Sequence, residues 1–242
     1  MHDERRTHIA KAYADRVEVR GRDLAGDVMG RLTFTEYFHL LLTGDEPTEE
    51  QRFFLDLVLV AIAEHGLMPS NVAARMTLAA DPSSVQGAVA AGLLGAGPVL
   101  LGTTSQCARV LEADEHPLQL ARATHGAGDK MPGFGHPVHG PIDPRAERIL
   151  ELADEHGVSG RNVARARALR DAVAEVWDKP LPMNVAMAIA AVMLDLGFSI
   201  DAVAAVPILA RTAGLLAHLA EEREEALGLF LGRVAEDAVE YD

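Results

Sequence analysis

The sequence has a single cysteine, Cys107, so no intrachain disulfide can close, and it opens with no basic leader followed by an apolar run. Both absences predict a reducing cytoplasm rather than secretion. Lysine is nearly missing, with Lys11, Lys130 and Lys179 the only three, so almost all positive charge is arginine. Cationic residues number 22 against 36 acidic ones, a formal charge of −14, and no basic cluster occurs. Nucleic acid is therefore not an expected partner, because affinity for its backbone requires many phosphates to be neutralised. Long hydrophobic runs are absent too. The solidly apolar part of the longest uncharged stretch, Ala88 to Leu101, is fourteen residues and is broken by glycines and Pro98. That is too short for a membrane helix, so no membrane is expected and a buried helix pair is.

What the chain does have is 242 residues, 49% of them hydrophobic, enough to bury a core in one or two domains. Val17 and Val19 alternate with charge before a Gly21 turn, which predicts a short hairpin over Arg16 to Asp23, the one β signal. The rest reads as helix. Thr33 caps a helix ending at Gly44, and Thr48 with Gln51 forms a capping box for a helix reaching His65-Gly66. Further helices are expected over 70–80, 83–95, 99–111, 118–124, 161–176, 183–196, 200–225 with a bend at Pro207, and 233–240. Asp143 as N-cap with Pro144 at the first position launches another, stopped by Gly157.

Between 126 and 142 lies a long irregular segment with five glycines and three prolines, containing Pro132-Gly133-Phe134-Gly135-His136-Pro137-Val138-His139. Glycines let backbone approach a ligand, and the proline-rich continuation holds the imidazole of His136 in one place. Such a histidine can exchange a proton with a substrate oxygen near neutral pH. Arg145, just inside the next helix, sits where an anion is already favoured. Arg211 falls mid-helix on an apolar face and needs an anionic partner, either ligand or internal carboxylate. His65 closes a helix before Gly66, a place that suits a protonated imidazole as well as a ligand contact. His218, at helical spacing from Arg211, is expected to be a packed or interface histidine. His136 and His139 do not predict a metal site, because no helix carries them and no third ligand follows at metal spacing.

The Gly-Phe-Gly-His run with its downstream Asp143-Pro144-Arg145 resembles the signature of the citrate synthase superfamily, and the whole chain is similar to its compact citryl-CoA lyase-type members. Arg20-Gly21-Arg22-Asp23-Leu24, His65-Gly66-Leu67-Met68-Pro69-Ser70 with Arg75, and Ala210-Arg211-Thr212-Ala213-Gly214 resemble further family segments in family order. The resemblance implies a mainly α, two-domain helical fold of citrate synthase type with a short N-terminal β-hairpin. Its larger domain would comprise 1–101 plus 181–242, and its smaller one, closing over the cleft, 102–180. It implies that His136 is catalytic, that His65, Arg75, Arg145 and Arg211 bind the carboxylic acid half, and that Gly133, Phe134 and Gly135 lie at the CoA thioester end. Coenzyme A enters as part of the substrate, with no tightly bound cofactor and no metal, and the assembly implied is a homodimer.

Two departures from the family pattern bear on the reaction. In Gly97-Pro98-Val99-Leu100-Leu101-Gly102, Leu100 stands where synthases carry the histidine that stabilises the acetyl enolate. In Asn184-Val185-Ala186, Ala186 stands where they carry the carboxylate that takes the α-proton. Each such group is worth about 10²- to 10⁴-fold, so losing both would cost roughly 5 to 8 kcal/mol of barrier if the effects added. The expected reaction is therefore cleavage of citryl-CoA or a related 3-hydroxyacyl-CoA into a 2-oxo acid (oxaloacetate) and an acyl-CoA (acetyl-CoA). The other expectation is a catalytically degenerate homologue that binds CoA esters or tricarboxylates.

Overall fold

The fold is taken from a computed structural model, in which residues 6–135, 140 and 142–241 are described. Contacts divide the chain into two compact units, Met1–Asp56 and Leu57–Asp242.

The first unit opens with a three-stranded antiparallel sheet, β1 (Ala10–Ala12), β2 (Val17–Val19) and β3 (Arg22–Asp23), in the order β1-β2-β3. The β2–β3 hairpin turns through Arg20 and Gly21, both at positive φ (50° and 77°), the pairing that matches the twist of a two-residue hairpin. Ala10 pairs with Val19, and Val19 with Arg22, so β2 is the central strand. β1 is an addition to the expected hairpin, and its three residues are all exposed, which leaves it without the apolar alternation that reveals a strand in sequence. A single π-turn, Leu24–Val28, follows, capped by Asp23. Helix α1 (Phe34–Thr43) begins with a full capping box, Glu36 N donating to Thr33 Oγ1 and Thr33 N donating to Glu36 Oε2 at 2.7 Å, and ends on Gly44 at φ 93°. The expected box at Thr48 and Gln51 opens α2 (Glu49–Ala63), with both reciprocal bonds made at 2.9 and 3.1 Å.

The second unit is helical: α3 (Pro69–Ala80), α4 (Val85–Leu100), α5 (Thr103–Glu112), α6 (Pro117–Gly126), α7 (Pro144–Glu155), α8 (Arg161–Trp177), α9 (Val185–Asp195), α10 (Ile200–Glu222) and α11 (Gly228–Asp237). Its centre is α9, where Met187 through Met193 are buried without interruption. A helix apolar all round must be enclosed, and α5, α7, α8 and α10 all pack on this one. A second cluster joins Ala74 and Leu78 of α3, Ala88 of α4, and Leu215 and Leu219 of α10. Small residues permit that closeness: a Cβ on Gly92 would fall 2.7 Å from Leu215 Cδ2 and 3.0 Å from the Ser70 carbonyl.

The break expected after residue 95 falls at Gly97, and a second, unexpected one follows at Gly102. α4 runs on to Leu100 across Gly97, whose φ of 52° kinks it, and the new helix starts only after Gly102. The last helix also begins earlier than expected, at Gly228, because Glu222 accepts from the amides of Leu227 (3.1 Å) and Gly228 (2.7 Å). By length and composition alone, Val85–Glu112 and Ile200–Glu222 could each cross a membrane, a correction to the fourteen-residue estimate. The first is divided at Gly97 and Gly102, and the second packs Leu215 and Leu219 into the core cluster.

Candidate active site

The loop that carries the glycines is anchored from the far side of the sequence. Phe134 pairs with Met183 in an isolated antiparallel bridge, Gly135 N donates to the Pro182 carbonyl (2.8 Å), and Asn184 N donates to the Gly133 carbonyl (2.9 Å). Asn184 is also the N-cap of α9, its Oδ1 accepting from Ala186 N (3.1 Å) while its Nδ2 donates to the Gly135 carbonyl (3.2 Å). One asparagine thus ties the glycine turn to the start of the central helix. Gly133 has φ 83°, and a Cβ there would lie 2.7 Å from Met187 Cε and 2.8 Å from Cys107 Sγ, so both its backbone angle and its surroundings exclude a side chain.

Asp143 joins the second pair of elements. It is fully buried, caps α7 by accepting from Arg145 N (3.1 Å), and also accepts from Val185 N (3.1 Å) at the start of α9. Its two oxygens receive Arg145 Nε (3.1 Å) and Nη2 (2.9 Å) side by side, the forked pairing that suits guanidinium and carboxylate. Burial pushes the Asp143 carboxyl up, but Arg145 and the two amides outweigh it and hold the group below the ordinary carboxylate range.

A third group of residues surrounds the turn after α2. Glu64 Oε1 accepts from His65 N (2.8 Å), Gly66 N (2.7 Å), Asn71 Nδ2 (3.0 Å) and His218 Nε2 (3.0 Å). Asn71 Oδ1 receives Arg211 Nη1 at 3.4 Å. Burial lowers the Arg211 pKa below its ordinary value; the Glu64 charge opposes this and the nearby Arg145 charge adds to it. An anion in the space that Arg211 and Arg145 both line would offset that repulsion on Arg211.

These elements enclose a cavity of about 290 Å³. His65, Arg145 and Arg211 supply its cationic and polar side, with Thr103 and Thr104 from the start of α5, Gly135 and Asn184. Ile62, Met68, Leu100, Leu101, Val185, Ala186 and Pro207 make the remainder apolar. Both departures from the family pattern, Leu100 and Ala186, therefore face the same space. Of the residues singled out from sequence, the structure brings together His65, Gly135, Arg145 and Arg211. Gly133 and Phe134 are not among the lining residues and instead form the packed base of the turn. Arg75 is not among them either: it is fully buried, with Nη1 on Glu222 Oε2 (2.9 Å), Nη2 on Glu221, and Nε 3.0 Å from His218 Nδ1. His136 and His139 lie outside the described residues. Glu64, Asn71, Thr103 and Thr104 were not anticipated from sequence. Asn71 two residues after Pro69 at a helix start was the one local sign, whereas the role of Glu64 depends on a histidine more than 150 positions away.

Comparison with known proteins agrees with this architecture. The family model for the citrate synthase C-terminal domain matches residues 5–233, and the chain belongs to the citrate synthase family. It is 28% identical over 197 residues to the citrate synthase of Haloferax volcanii, covering 78% of this chain and 51% of that protein. Citrate synthase 2 of Bacillus subtilis is 28% identical over 193 residues, covering 77% and 51%. The chain thus spans about half the length of the curated relatives it matches. Among solved structures, citryl-CoA lyase from Hydrogenobacter thermophilus superposes with a TM-score of 0.82 at 28% identity, covering 90% of this chain and 87% of that one. ATP citrate lyase from Methanothrix soehngenii, solved with citrate and coenzyme A, shares the fold with a TM-score of 0.82 over 93% of this chain and 40% of that one, at 21% identity.

Proposed function

We propose that the protein is a carbon–carbon lyase that splits citryl-CoA or a related 3-hydroxyacyl-CoA into a 2-oxo acid, oxaloacetate for citryl-CoA, and an acyl-CoA, acetyl-CoA in that case. The observation that carries the reading is that Leu100 and Ala186 line the same cavity as Arg145 and Arg211. The carboxylate-holding side of a synthase site is kept, while the pair that makes a nucleophile from acetyl-CoA is replaced by hydrocarbon. The near full-length superposition on a citryl-CoA lyase supports the same direction.

In this reading Arg145 and Arg211 hold the carboxylates and His65 contacts the oxo-acid half. His136 takes the proton of the tertiary hydroxyl. The alkoxide collapses to the ketone as the bond to the thioester α-carbon breaks, the resulting enolate takes a proton at carbon from water to give the acyl-CoA, and the protonated His136 neutralises the hydroxide left behind. Coenzyme A travels with the substrate. The division implied by the family, 102–180 closing on 1–101 plus 181–242, a homodimer, and a reducing cytoplasm as setting are part of the same proposal.

Single-turnover incubation with citryl-CoA is expected to release acetyl-CoA and oxaloacetate, and His136→Ala to abolish the release. Equal activity in that variant refutes the role of His136. Leu100 and Ala186 also favour a second reading, a degenerate homologue that binds CoA esters or tricarboxylates without turning them over. Tight calorimetric binding with no cleavage of any offered thioester would select it.

A further inference from the structure

A continuous hydrogen-bonded chain leads from the buried Arg75 to the cavity wall, and the polarity of its links is forced. Arginine can only donate, so His218 Nδ1, 3.0 Å from Arg75 Nε and 2.8 Å from Nη2, must be the bare acceptor nitrogen. The imidazole proton is then on Nε2, which donates to Glu64 Oε1 at 3.0 Å. That oxygen also gathers the amides of His65 and Gly66 and the Asn71 side-chain amide. Asn71 Nδ2 in addition meets the Gly66 carbonyl at 2.9 Å, a pure acceptor, so its orientation is fixed and Oδ1 is left to face Ser70 Oγ (2.9 Å) and Arg211 Nη1 (3.4 Å). Gly214 keeps the path open, because a Cβ there would lie 2.1 Å from the Ala63 carbonyl and 2.8 Å from Glu64 Oε2.

We infer that His218 is a positioning residue: held in one tautomer by Arg75, it fixes Glu64, and through Glu64 it sets the His65 turn and the Asn71–Arg211 contact at the cavity. The ligand-binding part of this inference rests on the reading that Arg211 holds a carboxylate. Glu64 is itself 44% exposed, so the effect lies in the geometry of one saturated oxygen rather than in a buried charge.

A double-mutant cycle on oxaloacetate binding tests it. His218→Leu is expected to raise the Kd about tenfold, and His218→Gln, whose amide can accept from Arg75 and donate to Glu64, to recover most of that. In an Arg211→Leu background the same His218→Leu change is expected to move the Kd less than about twofold. Equal fold-changes in both backgrounds overturn the inference and leave His218 a packing residue. If the wild type binds neither oxaloacetate nor citrate, the lyase reading fails, and nitrogen-15 spectra decide the chain of contacts separately. They should show the Nε2–H tautomer at His218 and a slowly exchanging Asn71 side-chain amide that His218→Leu releases. The opposite tautomer, or an unchanged Asn71 signal, overturns it.

Discussion

Replacing Asp143 should damage the molecule more than any other single change of comparable size near the cavity. Its carboxylate accepts four hydrogen bonds, three from Arg145 and one from Val185 N, and is fully buried. Loss of the α7 cap alone costs about 1 kcal/mol. Removing one partner of a buried ion pair costs about 3 to 5 kcal/mol, and the Arg145 side chain, at 22% exposure, recovers part of this from water. Asp143→Ala is therefore expected to lose about 3 to 5 kcal/mol in guanidinium denaturation followed by circular dichroism at pH 7, and Asp143→Asn about 2 kcal/mol, since its amide keeps one acceptor. The folded carboxyl titrates below its unfolded value, so its contribution is complete above the unfolded pKa of about 3.9 and is lost as pH falls through the folded one. The gap between wild type and Asp143→Asn should hold from pH 7 to about 5 and shrink below about 4. A cost under about 1 kcal/mol for Asp143→Ala, or a gap that widens in acid, would refute the reasoning.

Three further outcomes are expected. Gly133→Ala forces an L side chain into φ 83° against Met187 and Cys107, and thermal or denaturant unfolding should show a loss of about 2 to 4 kcal/mol; a neutral result would mean the turn relaxes freely. Asp195 accepts from the amides of Gly160, Asn162 and Val163 and so caps α8 from the end of α9, which makes Asp195→Ala about 1 to 2 kcal/mol less stable by the same assays. If the proposed homodimer forms through the Ala- and Gly-rich α4, where Leu94 is 82% exposed, sedimentation should show a dimer that Leu94→Glu weakens at least tenfold; a monomeric wild type at micromolar concentration ends that reading.

The local devices of this chain were legible in its sequence. Thr33, the Thr48–Gln51 box and the Asp143–Pro144 start each act within a few residues, so composition and spacing suffice to find them. The break at Gly97 is legible beside Pro98, which sits in the first turn of the resumed helix where it has no amide to lose, whereas the second break at Gly102 is not. Arg75 looked like one more ligand-binding arginine, since nothing nearby in sequence announces Glu221, Glu222 and His218, more than 140 positions on. Cavity-facing Leu100 and Ala186 were visible only as departures from a family pattern. Asn184 was legible as part of a motif, but its second task, holding the glycine turn, follows from a bridge between segments almost fifty residues apart.

The only thiol in the protein is sealed under that turn, with burial pushing Cys107 well above the ordinary range for its proton loss. A reagent such as Ellman's can therefore reach sulfur only when the packing around it, the Gly133 segment included, opens. The native chain thus carries its own reporter of local opening around α5 and Gly133: labelling rate against concentration of added citrate or coenzyme A would show whether that packing responds to them, without any engineered probe.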